Sequence, residues 1–167
     1  MENKKINHNK IFSIIITLLI LLSINNVSAT EKITPLKDLL KKQNLKTAIG
    51  KLNYLADFSL QCGSLFEAIN QVTPNKNILL ASMNLQEGAI ITKIMIKKTE
   101  QRKIKEETNK QQLYIKNIYL ELLYKNKNTN GDYIKGSDRL NSDQKICKKF
   151  IPRFYKFLRS NSFTIKK

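Results

Sequence analysis

The sequence predicts an all-α fold: a small antiparallel helical bundle of about four helices, preceded by a short N-terminal helix and held by one disulfide. Three observations predict it. Apolar residues recur every three or four positions through the segments 45–73, 78–96, 113–124 and 140–158, the spacing of helices that turn one face to a core. No stretch alternates apolar and polar residues for long enough to name a strand. The only two cysteines, Cys62 and Cys147, stand in the middle of the first and last of those segments.

Residues 1–29 read as a signal peptide. Lys4, Lys5 and Lys10 supply a positive start, and Ile11 to Ile24 is an uncharged, largely apolar run. That run is shorter than the ~18–20 residues a spanning helix needs, and Val27-Ser28-Ala29 offers a cleavage site after Ala29. The expectation is an exported protein, periplasmic or extracellular, with no transmembrane span once the leader is removed. Residues 30–44 form a short amphipathic segment, and 45–167 a single helical domain. Two cysteines in an oxidising compartment favour a Cys62–Cys147 disulfide. A bridge closing a loop of about 85 residues contributes roughly 4 kcal/mol in the chain-entropy account.

The elements follow in order. Thr34 is suited to cap a short helix and Pro35 to its first position. Leu36, Leu39 and Leu40 make its apolar stripe, with Lys37, Lys41 and Lys42 toward water. The next helix spans Leu45 to Thr73, with Leu45, Ala48, Leu52, Leu55, Ala56, Ser59, Cys62, Phe66 and Ile69 on its core face; Pro74 ends it. Ile78 to Ile96, the most apolar stretch after the leader, is expected to be a central, largely buried helix. A polar run, 97–112, leads into a helix whose apolar spacing resumes at Leu113. Asn126 to Gly136 reads as a loop, and Ser137 or Ser142 as the cap of the last helix. Pro152 is expected to kink or restart that helix.

Nothing local breaks the chain between 97 and 112, so Ile78 to Lys125 by itself predicts one helix about 70 Å long. The cysteines argue otherwise. In a hairpin about Pro74, Cys62 is level with about residue 88; in a hairpin about 128–131, Cys147 is level with about residue 115. On one straight helix those levels are about 40 Å apart at 1.5 Å per residue. A disulfide needs Cα atoms within about 7 Å. Either the chain turns back within 97–112 or the cysteines do not pair; the expectation is the turn, giving four helices rather than three, with Gly63 and Gly88 at a similar level where helices approach closely.

Several chemistries are excluded. The only histidine, His8, lies in the leader, which removes histidine-based catalysis and histidine metal sites from the domain. No glycine-rich phosphate loop or dinucleotide fingerprint occurs. Neither a cofactor nor a metal site is expected. Asp57, Glu67, Glu87, Glu121 and Asp143 lie in or beside apolar segments, where a buried pair is the one route to acid–base catalysis. Asp143, one turn before Cys147 on the core face, is expected instead to serve the N-terminal turn of its own helix. The reading is a binding protein, not an enzyme.

The chain carries a formal charge of +17, and its basic residues are nearly all lysine. Readers of phosphate and bases favour arginine for its bidentate fork, so nucleic acid is disfavoured as a partner. From Lys145 onward there are eight basic residues and no acid. Lys145, Lys149, Arg153, Lys156 and Arg159 are the candidate contacts for an anionic partner, opposite an apolar face of Cys147, Phe150, Phe154, Phe157 and Leu158. The expected partner is an acidic protein, bound in the manner of an inhibitor or immunity protein. The alternative is an anionic lipid or polysaccharide of the envelope, held by the same helix. The sequence leaves the oligomeric state open.

Overall fold

A computed structural model describes residues 33–97 and 100–161, and the expected leader, residues 1–29, lies outside them. Five helices follow one another: α1 (Leu36–Lys42), α2 (Ala48–Val72), α3 (Lys76–Ile96), α4 (Gln101–Asn130) and α5 (Asp138–Ser160). There is no strand among the described residues. The fold is the small helical bundle that the spacing predicts, and α2, which carries Cys62, packs against all four other helices.

Caps set most of the boundaries. Thr47 Oγ1 accepts the Gly50 N–H at 3.0 Å and starts α2. Asn75 Oδ1 accepts from Asn77 and Ile78 and starts α3 directly after Pro74. Ser137 does the same for α5 through the Leu140 N–H. Gly131, at φ 73°, closes α4 in the left-handed region where a side chain is strained. So α4 runs through Asn130, and the loop begins at 131 rather than at 126. Asn126 is helical and buried, and its amide holds the loop by donating to the Asp132 and Lys135 carbonyls at 2.8 Å each. The expected kink or restart at Pro152 takes neither a cap nor a gap: α5 continues through it.

The helices do separate at the front edge of the polar run: α3 ends at Ile96 and α4 begins at Gln101. The rest of that run is helix, held down by buried Ile104 and Thr108. With the break in place Cys62 and Cys147 form a disulfide with Cα atoms 5.4 Å apart. Around it the core is aromatic on the α5 side. Phe58 and Phe150 lie 5.6 Å apart by ring centroid, and Phe150 stacks on Phe154 at 5.2 Å.

Two expectations about the core are corrected. Leu45 and Ala48 are exposed, because α2 starts beyond the first and reaches the core only from Gly50 on. Gly63 and Gly88 do lie where helices approach closely: an added Cβ at Gly88 would lie 2.3 Å from Phe154, so its bareness admits α5. Gly63 is the residue at the α2–α3 contact, against Leu85 and Gln86. Finally, α3 is not the central helix. Its buried residues are Ser82, Asn84, Leu85, Gly88, Ala89 and Thr92, mostly small or polar, while Leu79, Met83 and Met95 stand exposed.

Candidate anionic-partner interface

The phenylalanines of α5 point inward. Phe150, Phe154 and Leu158 are buried, Phe157 is half-buried against the core, and Cys147 is covalently fixed to α2. At 3.6 residues per turn this leaves Lys145, Lys149, Arg153, Lys156 and Arg159 on the solvent side, and all five are exposed. None of them forms an ion pair among the described residues; those that occur involve Lys41, Lys97, Arg102, Lys116 and Arg139. The sequence-predicted cations are therefore on one face of one rigid helix.

Two neighbours that the sequence did not nominate join that face. Leu40 of α1 and Tyr54 of α2 border, with Ile146, Lys149 and Arg153, a groove of about 150 Å³ floored by Phe58 and Phe150. Tyr54 packs edge-on to Phe150 at 5.7 Å, which fixes its ring. Burial raises the Tyr54 hydroxyl above its ordinary value, and the charge of Arg153 pulls the other way. The hydroxyl is thus a neutral donor beside a cation at neutral pH. The signal for Tyr54 lay in its spacing, four residues before Phe58, but that spacing alone does not say which helix it meets.

What holds this surface in place is a polar network beneath α1. Asp143 accepts the Leu36 N–H at 3.0 Å and the Tyr119 hydroxyl at 2.8 Å. Gln61 donates to the Thr34 carbonyl at 2.9 Å and to the Tyr119 oxygen at 3.0 Å. Arg139 donates to the Ile33 carbonyl at 2.7 Å, with its Nε 4.0 Å from Asp143. Two corrections follow. Asp143 serves the first turn of α1 rather than that of α5, because it lies a full turn inside α5 and faces the other way. The cap of α1 is that carboxylate and not Thr34, since Pro35 occupies the capping position. Burial raises Asp143 above the usual carboxylate range, opposed by Tyr119, the Leu36 amide and Arg139. Burial also raises Tyr119 well above its usual range, and the Asp143 charge adds to it.

The other carboxylates are dispersed. Asp57 meets Gln43 at 3.5 Å and shares a groove of about 240 Å³ with Lys93, Lys97 and Gln111. Burial raises Asp57 and lowers Lys93, while their mutual attraction opposes both shifts. Glu67 accepts from Gln86 and Gln112 at 2.9 and 2.6 Å and lies 3.6 Å from Lys116. Glu87 and Glu121 are exposed. Asp57, Glu67 and Asp143 each keep different hydrogen-bond partners. Among the described residues no group of three or more His, Cys, Asp or Glu is placed to hold a metal ion. No helix among them is long and apolar enough to cross a membrane. No protein-family model, no curated protein and no solved structure matches the chain.

Proposed function

We propose that this chain is a small exported binding protein that acts by contact with an acidic protein in the envelope or outside the cell, as an inhibitor or immunity protein does. The contact surface is the solvent face of α5. The observation that supports it is the division of α5 itself: its aromatic residues are consumed by the core, and Lys145, Lys149, Arg153, Lys156 and Arg159 are left on the outside without ion pairs among the described residues. A helix that binds lipid from the surface sinks its apolar side chains past the headgroups, and Phe150, Phe154 and Leu158 of α5 are already buried. A protein partner needs something different, cations for steering and one apolar anchor point. The groove of Leu40 and Tyr54 beside Lys149 and Arg153 supplies the anchor point. Complementary charge of this kind speeds encounter and excludes partners of the wrong sign.

Affinity capture of the tagged, exported protein from its own cells, eluted in rising salt, tests the reading. A stoichiometric protein retained at about 0.5 M salt, where screening confines charge effects to a few ångströms, is expected. Loss of all bound material at moderate salt, with lipid or polymer in the eluate, overturns it in favour of an anionic envelope surface.

A further inference from the structure

The groove beside α5 has the size of a single side chain. It holds about 150 Å³, between Leu40 of α1, Tyr54 of α2 and Ile146 of α5, with Lys149 and Arg153 also lining it. Apolar space of about that volume takes one benzene ring. Phe58 and Phe150 at its base are 1% and 3% exposed, so an occupant touches mainly Leu40, which is 42% exposed, and the half-buried Tyr54 and Ile146. The Tyr54 ring is held against Phe58 at 4.5 Å and edge-on to Phe150 at 5.7 Å, so this wall is fixed before anything binds. Among the described residues no carboxylate lines the groove, whereas two cations do. Lys149 and Arg153 stand one turn apart, about 6 Å along α5, and neither has an ion pair among the described residues.

Resting on the reading of α5 as the contact face, we infer that this groove is a socket for one phenyl-sized aromatic side chain of the partner, carried in a segment with carboxylates on both sides of it. Size, lining and charge choose that occupant. The volume suits one ring. A ring lying there meets Tyr54 in the offset or edge-on contact that aromatic pairs prefer, and the cations of Lys149 and Arg153 favour an aromatic face over an aliphatic one. The same two cations select what flanks the ring: neighbouring carboxylates are attracted, and neighbouring lysines or arginines are repelled. The ring then carries the affinity at the centre of the contact, and the carboxylates carry the choice of partner.

Titration of the mature, disulfide-bonded protein with two blocked peptides, Glu-Glu-Phe-Glu-Glu and Glu-Glu-Ala-Glu-Glu, followed by NMR up to about 5 mM, tests this. The phenylalanine peptide is expected to bind about tenfold or more tightly than the alanine peptide, which keeps the charge and loses the ring. Its ring protons should show intermolecular contacts to the side chains of Leu40 and Tyr54. Leu40→Gln, at an exposed position, should remove most of the preference for phenylalanine with the helical circular-dichroism signal unchanged; the intermolecular contacts in wild type decide the matter even if that variant is destabilised. Equal affinity for the two peptides overturns the socket and leaves the cationic face of α5 as the contact surface. Ring contacts elsewhere on the molecule overturn it as well. So does phenylpropionate binding as tightly as the peptide, which marks a small-molecule site instead. Absence of binding by both peptides overturns the socket too, and the wider reading then stands or falls by the capture experiment alone.

Discussion

Asp143 is one carboxylate answering to three helices. It closes the first turn of α1, receives the hydroxyl of α4 Tyr119, and lies beside Arg139 one turn back on α5, all with 1% of its own surface exposed. Truncating it to alanine strands the Leu36 amide and the Tyr119 hydroxyl in the interior, and buried donors without acceptors are costly. We expect Asp143→Ala to lose about 3 kcal/mol in urea unfolding, with hydrogen exchange faster first at the amides of α1. The pH dependence has an unusual sign. Burial raises Asp143 above the ordinary value of 3.8, so the folded chain holds this proton to a higher pH than the unfolded chain does. Its contribution to stability therefore increases as pH falls from the raised value toward 3.8, and declines as pH rises through the same window. Measured against Asp143→Asn, wild type should gain relative stability on acidification across that interval; a relative loss contradicts the assignment.

At the scale of helices, the bundle depends on where side chains are missing. Phe154 is fully buried and stacked between Phe150 and Phe157, so it cannot withdraw from a methyl group built on Gly88 at 2.3 Å. Gly88→Ala should cost about 1–3 kcal/mol through overpacking, read as a lower urea midpoint with an unchanged slope, whereas an exposed glycine in a helix would gain from the same change. How far such features were readable follows from how local they are. The apolar spacing of α2 and α5 is a property of neighbouring residues, and it located both helices and the inward turn of the phenylalanines. The break at 97–100 has no glycine or proline to mark it, and was legible only through the distance a Cys62–Cys147 bond allows. The α1 cap was not legible, because its carboxylate stands 107 residues away. Nor was the orientation of α3, since a helix apolar on nearly every side offers no contrast to read. There the small residues, not the large ones, mark the core.

For the whole molecule, the expected response to salt follows from the cationic face of α5. The proposed contact between this face and an acidic protein should weaken as salt rises, down to whatever its apolar anchor retains. Leu40, Tyr54, Lys149 and Arg153 stand around one groove, and Leu40 belongs to α1, whose first turn the Asp143 network holds. The central claim is that the α5 face selects a protein. One measurement tests it most directly: side-by-side capture from the protein's own cells with wild type and with Lys149→Glu, Arg153→Glu and Lys156→Glu combined, both washed at about 0.5 M salt. The account predicts one stoichiometric acidic protein on wild type and its loss from the reversed variant, whose melting curve stays that of a folded helical chain. Equal recovery on both would contradict it, and would move the contact surface off α5.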